Sequence, residues 1–541
     1  MHMPINSHLS PSVFPTCDLP DDVLISVFSY VIDPVTLSHV SRSWRNLVLD
    51  VAILWSYVKV GGSRWLVEIS LLRSQSTRLV IDAFLGNEES HSRTVLQNLA
   101  LALKHAHRTD TLRITLQCSS LCTELQATLN DAVSAHQQLN LRTLELNFDT
   151  PALFDHLFNA RQSTSSLRSL LLVNVGIPWS SPVLRNLSEI YIDSWEGHRR
   201  RLPPLPLSLL LNVLEQCPML SKLHIGHTLV DDSDESKRDH SAFPVHSVVL
   251  PQLTEVVLRY TDIETSTSFV EAITTTGRTN WRISTKFPIL EDSDPLLSLL
   301  QAINSQVGVL GDRNLCLSFS NDDMKLGIAG LVENSSSGNI NGGQVKLRFK
   351  WPGTYRSTRL ALPDTITETI CLFEEVWQFG DVCRLHVEFA NSGRRHGIVH
   401  RGYQCIDWNR LLRALPGLKY LSLDFSFLPE SITEIQHDPL QDLKEEIMEG
   451  IINALTPSTS PNTISQQINV CLVCPSLVAL DMIIGFRNVD RNLSICLRQR
   501  NEYGSQLSIL RIKYARRDFI SHEFKPEIMQ AVKEAHFDAA Q

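Results

Sequence analysis

A chain of 541 residues, 43% hydrophobic and 20% charged, has the composition of a globular protein, and its length allows several domains or one small module beside a repeat array. The formal net charge of -9 argues against a global nucleic-acid footprint, and the 11 cysteines, strewn from Cys17 to Cys496, lack the dense spacing of a disulfide scaffold. The opening MHMPINSHLSPS has neither the basic start nor the apolar core of a signal peptide, and the Leu-rich Leu202 to Leu214 is broken by Pro203, Pro204 and Pro206; a cytoplasmic or nuclear protein without a membrane span is expected.

Residues 1–16 are polar and carry Pro4, Pro11 and Pro15, so they read as a flexible N-terminal tail. The next stretch changes character. Asp18 offers an N-cap, Pro20 sits at or near N1, where a missing N–H costs nothing, and Asp21 and Asp22 face the positive end of the helix dipole. Val23, Leu24, Val27, Phe28 and Val31 then recur at helical steps until Asp33-Pro34 breaks the run. A second amphipathic piece places Val35, Leu37, Val40, Trp44 and Leu47 on one side and Ser38, Arg42 and Arg45 on another, and Leu54-Trp55 closes the unit. Short helices in a unit of about 40 residues do not usually fold alone, so some of this apolar surface must meet a partner.

Leu19-Pro20, Leu24, Val27-Phe28, Asp33-Pro34, Leu37, Val40, Trp44-Arg45 and Leu54-Trp55, in that order, resemble the F-box motif, with Ser41 where many members of that family have Cys. The resemblance implies that residues 17–60 form a short all-helical F-box. It further implies docking on a Skp-family adaptor, itself bound to a cullin scaffold, through Leu19, Pro20, Leu24, Val27, Phe28, Leu37, Val40, Trp44 and Trp55. The following Ser56 to Val60 is strand-like and nearly free of linker residues, which predicts a packed junction.

Residues 61–520 carry runs with a Leu-x-x-Leu-x-Leu flavour at Leu141–Leu146, Leu167–Leu172, Leu187–Ile192, Leu220–Ile225, Leu253–Leu258, Leu418–Leu423, Leu477–Met482 and Leu507–Ile512. Early steps are roughly 20 to 33 residues, which overlaps the leucine-rich-repeat range. Weaker strand candidates are Leu79–Ile81, Leu112–Leu116, Leu315–Phe319, Val345–Phe349 and Leu385–Phe389. Helix candidates are Leu209–Gln216, Pro295–Ile303, Thr365–Trp377, Trp408–Leu415 and Leu443–Leu455; Cys217-Pro218, Leu415-Pro416 and Cys474-Pro475 each end a helix and launch a Leu run. Asn321 to Phe349, with the Ser335 to Gly343 stretch, reads as a hairpin or loop that interrupts the period, Asp231 to Glu235 as a solvated loop, and 521–541 as a C-terminal tail. The fold class expected is α/β: the F-box module followed by an irregular leucine-rich-repeat-like solenoid, as in the fungal-type F-box substrate receptors that the chain resembles; a plain α/β domain is the alternative.

No catalytic, metal or cofactor site is named. Cys471 and Cys474 have zinc or redox spacing without a second pair, His396 and His400 lie among Gly393 and Gly397 with no carboxylate motif, and Arg199 to Arg201 read as an exposed basic segment. Sequons at Asn186, Asn334 and Asn492 mean little in a chain expected to stay out of the secretory pathway. The function expected is therefore that of a non-catalytic substrate receptor of an SCF-type cullin–RING ubiquitin ligase, the alternative being a scaffold that binds a partner without promoting its ubiquitination. Strand parity assigns the partner-facing positions: Thr143 and Glu145, Glu189 and Tyr191, Lys222 and His224, Glu255 and Val257, Tyr420 and Ser422, Arg511 and Lys513. Acids at the early positions and bases at the late ones predict a protein partner of opposite charge at its two ends.

Overall fold

The computed structural model describes residues 19–30, 33–135, 140–154, 166–194, 202–226, 229–230, 247–275, 279–286, 294–307, 313–319, 323–330, 344–350, 376, 382–389, 407–413, 415–424, 448–461, 468–484, 489–514 and 524–539. They fall into two compact units, one of residues 1–187 and 197–202, the other of residues 188–196 and 203–541. The region 61–520, expected as one piece, therefore contributes to both.

The first unit opens with helix α1, Asp21–Phe28, which has Pro20 at its N-cap and Asp21 and Asp22 in its first turn. Pro20 thus stands next to N1, within the expectation, and no side chain caps the helix; Asp18 and Val31 lie outside the described residues. Helix α2, Pro34–Ser38, is capped by Asp33, whose Oδ1 accepts from the Val35 N–H at 3.0 Å. Helix α3, Arg42–Asp50, is capped by Ser41, whose Oγ accepts from the Trp44 N–H at 3.1 Å. The departure from the usual Cys at position 41 thus supplies a good N-cap residue. A 3-10 turn, Ala52–Trp55, ends the module.

Leu24, Phe28, Leu37, Val48, Leu54 and Trp55 close a small core, with Trp44 and Leu47 packed against it and the Phe28 and Trp44 rings 4.6 Å apart. The junction that follows is packed, because Val58 and Val60 are buried and strand β1, Tyr57–Lys59, pairs in parallel with β2, Leu79–Leu85. Strands β3, Thr109–Leu116, β4, Thr143–Leu153, and β5, Ser169–Gly176, continue the parallel run in chain order. Helices α4, Arg64–Arg73, α5, Glu89–Leu103, and α6, Cys122–Ala135, connect the strands up to β4. A parallel pair needs such a crossover, and the strands alternate between buried and half-exposed positions, as in Leu79, Ile81, Ala83 and Leu85 of β2, all buried.

In the second unit β6, Glu189–Asp193, pairs in parallel with Lys222–Gly226, which pairs with Glu255–Thr261, which pairs with Asn280–Lys286. Next comes Gln344–Lys350, still parallel; Asp323–Gly330 is then antiparallel to Gln344–Lys350, and Arg313–Phe319 antiparallel to Asp323–Gly330. The interruption expected over Asn321 to Phe349 is thus an antiparallel excursion; its 331–343 segment lies outside the described residues. The parallel run resumes with Val382–Phe389, Tyr420–Asp424, Ala479–Ile484, Ile509–Tyr514 and Glu534–Ala539. Among the described residues, neither run of strands closes into a barrel.

The 521–541 segment is no tail in its described part: it holds a helix, Lys525–Ala531, and the Glu534–Ala539 strand, and buries Ile528, Ala531 and Val532. Glu534, His536 and Asp538 alternate with Ala535, Phe537 and Ala539, a strand pattern hidden by its charge. Of the helix candidates, Leu209–Gln216, Pro295–Ile303 and Trp408–Leu415 correspond to helices Leu207–Glu215, Asp294–Val307 and Trp408–Arg413, and Leu443–Leu455 is helical over 448–455. Apart from Val376, the Thr365–Trp377 candidate lies outside the described residues, as do residues 1–16, 199–201, 231–235, 335–343, His396 and His400.

Candidate functional site

The expected docking residues and most of the expected partner-facing residues lie on two surfaces, one in each unit. In the helical module the expected docking residues divide by burial. Phe28 is 1% exposed, and Leu24, Leu37 and Trp55 are likewise inside the core, with Trp44 against it; they shape the module from within. Leu19 at 55%, Val27 at 52% and Val40 at 58% face outward, and Pro20 is exposed as well. Tyr30, 88% exposed, and Ile53, 51% exposed, are not among the expected docking residues, and neither is Val23, which recurs with Val27 at helical steps and is exposed as well. Val23, Val27 and Tyr30 follow one another at four- and three-residue steps, the spacing of a single helix face, and that spacing was the available signal.

Exposed apolar side chains are ordinary one by one. Here several large ones surround a module whose interior is already filled, so their exposure is not forced by a shortage of inner positions. The core is also pinned at its far end: Trp55 Nε1 donates to the Val48 carbonyl at 2.7 Å, and the Arg73 guanidinium lies 5.4 Å from the Trp55 ring centre and donates to the Leu49 carbonyl at 3.0 Å.

The second surface is the outward row of the strands in the second unit. Register brings Glu189, Lys222, Glu255 and Asn280 into one line across four neighbouring strands, and Tyr191, His224, Val257 and Arg282 into the next. Farther along the same unit, Ser422, Asp481 and Arg511 share a line, with Tyr420 two residues before Ser422 and Lys513 two after Arg511. Glu145 belongs to the first unit, beside Arg113 at 3.0 Å.

Strand parity holds for most of these positions: Tyr420, Lys222, Arg511 and Lys513 are exposed, and Thr143, Glu145, Glu189, Tyr191, Glu255 and Ser422 are half-buried. His224 and Val257 are corrections, each only 8% exposed. The Tyr191 ring lies over His224, centroids 3.8 Å apart at 27°, and covers an imidazole that parity alone would leave in water.

The expected separation of acid and base is not found at these residues either. Glu189 meets Lys222 at 2.8 Å, Glu255 meets Arg282 at 3.4 Å, and Asp481 meets Arg511 at 3.4 Å. Each early acid and the late Arg511 has an opposite charge on the adjacent strand, so the local fields cancel. Such exposed pairs contribute at most about 1 kcal/mol each and chiefly fix which partner charges are tolerated.

Among the described residues no group of His, Cys, Asp and Glu could hold a metal ion, and no helix is long and apolar enough to cross a membrane. Cys474, the second cysteine of the Cys471–Cys474 spacing, is buried and its Sγ donates to the Leu412 carbonyl at 3.2 Å. Compared over its whole length with curated proteins, the chain matches none. Residues 16–59 match the family model described as F-box-like, and with its short helices, closed core and outward apolar side chains this stretch is an F-box-like domain carried by the chain.

Proposed function

We propose that the chain is a non-catalytic substrate-recognition subunit of an SCF-type cullin–RING ubiquitin ligase. The F-box-like domain docks on a Skp-family adaptor and so joins a cullin scaffold, while the strands that follow form a leucine-rich-repeat-like solenoid whose outward rows bind a target protein. The observation that carries the docking step is the exposure of Leu19, Val23, Val27, Tyr30, Val40 and Ile53 around a filled core. Burying such side chains against a partner is worth about 25 cal/mol per Å² of apolar surface before the costs of association. Leu24, Phe28, Leu37, Trp44 and Trp55 serve docking by holding that surface in shape. Ubiquitin transfer belongs to other subunits, and this chain contributes proximity. A cytoplasmic or nuclear location follows from this reading.

The test is co-purification of the full chain with a Skp-family adaptor, compared with a Val27→Asp/Val40→Asp variant. Capture by the wild type and loss in the variant are expected; equal capture would place docking elsewhere. Ubiquitination of a captured partner in a reconstituted ligase then separates a substrate receptor from a scaffold.

A further inference from the structure

The strand face of the second unit carries one ion pair built differently from its neighbours. Tyr191 and Asp193 come from β6, His224 and Gly226 from the adjoining strand, and Arg259 from the strand beyond, with Tyr191 opposite His224 and Gly226 opposite Arg259. A Cβ at position 226 would collide with the Asp193 carboxylate, so the glycine creates the space into which that carboxylate sinks. Only 8% of the Asp193 side chain remains exposed, and its Oδ2 lies 3.3 Å from the Tyr191 hydroxyl, 3.4 Å from Arg259 Nη1 and 3.6 Å from His224 Nε2. Burial, with Asp193 adding and Arg259 opposing, raises the Tyr191 phenol above its ordinary pKa, so it stays a neutral hydrogen-bonding group.

In the neighbouring pairs, Glu189 with Lys222 and Glu255 with Arg282, every side chain keeps 31% or more of its surface exposed and the two charges neutralise each other. Here the acid is inside and the base outside: the Arg259 side chain is 46% exposed while the carboxylate beneath it is covered. What the surface presents is a guanidinium positioned from below, beside the half-buried Tyr191 ring. Arg and Tyr are the residue types that dominate binding energy at interfaces, and a guanidinium fork matches a carboxylate in two parallel hydrogen bonds.

We propose that Arg259 and Tyr191 form a recognition point for an Asp or Glu side chain flanked by an apolar residue in the target protein. This rests on the reading of the strand face as the target-binding surface. A carboxylate is assigned over a phosphate because Asp193 stands directly behind Arg259 and repels a dianion more than a monoanion.

The experiment probes the full chain with an array of short peptides whose central residue is Glu, Gln, phosphoserine or Lys, next to Phe or Ala. Glu beside Phe should bind at least about tenfold better than Gln beside Phe, with the preference lost in Arg259→Gln and not restored by Arg259→Lys. Thermal melting and adaptor capture verify that both variants are folded. Equal binding of Glu and Gln, selection of phosphoserine, an unchanged preference in Arg259→Gln, or no peptide bound at all would each overturn the proposal. Failure of the wild type to capture the adaptor would instead sink the ligase reading, whatever the array selects.

Discussion

Trp55 Nε1 donates to the Val48 carbonyl at 2.7 Å, and both residues are buried, so the tryptophan that ends the helices of the F-box-like domain is tied back to its third helix. That bond fixes the chain just before β1 enters its sheet. Trp55→Phe keeps most of the apolar bulk but leaves the carbonyl without this donor, at a cost of about 1 to 3 kcal/mol. Trp55→Ala adds a cavity and should cost about 3 to 5 kcal/mol. Urea denaturation checks the ranking. Equal stability of Trp55→Phe and wild type would show that the bond adds nothing.

Burial separates two kinds of docking mutant. Phe28→Ala should destabilise by about 3 to 5 kcal/mol and lose adaptor binding only as the domain unfolds. Val27→Asp, at an exposed position on the same helix, should change stability by no more than about 0.5 kcal/mol yet lose the adaptor. A Val27→Asp chain that melts like wild type and still co-purifies with the adaptor would contradict the proposed surface.

How far this was legible in sequence depends on which side of a residue the signal lies. Every Leu-x-x-Leu-x-Leu run became a strand, because the run carries both the inward parity and the punctuation, as at Cys474-Pro475 before Ala479–Ile484. Helices α4 and α5 were passed over although Val95, Leu96, Leu99, Ala102 and Leu103 keep helical spacing and are buried. In the F-box-like domain, motif matching names Phe28, Leu37, Val27 and Val40 together for docking, but size favours the core, so the large Phe28 and Leu37 are buried and the smaller Val27 and Val40 face outward. His224 and Asp193 were illegible for a different reason. Their burial depends on Tyr191 and Gly226, which meet them across strands separated by a connection that no local pattern encodes.

Arg500, on the helix Val489–Glu502, is 1% exposed and, among the described residues, has no carboxylate hydrogen-bonded to it. Its Nη1 donates to the carbonyls of Leu455 and Val473 at 3.0 and 2.9 Å, and its Nη2 to the Cys474 carbonyl and Ser505 Oγ at 2.8 and 3.0 Å. Burial pulls its pKa below the ordinary guanidinium value, but the fork satisfies four acceptors at the turn that launches Ala479–Ile484. Arg500→Met leaves those acceptors bare and should cost about 3 to 5 kcal/mol. Arg500→Lys, a point charge without the fork, should recover little. Hydrogen exchange should rise first in the Ala479–Ile484 and Ile509–Tyr514 strands; protection unchanged in Arg500→Met would refute this role.

Cys474 couples the same turn to pH. Burial pushes its thiol from the ordinary 9.0 up to about 12, with the Arg500 charge opposing. A folded-state pKa above the unfolded one means that the native chain holds its proton longer. The contribution to stability is therefore complete below about pH 9 and is lost as pH rises toward about 12, with a slope of at most about 1.4 kcal/mol per pH unit from this one group. Cys474 has a positive φ of 51°, and serine keeps the small side chain there without a thiol to ionise. Cys474→Ser should lower stability at neutral pH only modestly but flatten its fall across the alkaline window; Cys496, also raised by burial, retains part of the slope. Unfolding free energies measured by urea at intervals between pH 8 and about 11 decide the matter, because parallel curves for variant and wild type would mean that the Cys474 thiol keeps an ordinary pKa despite its burial.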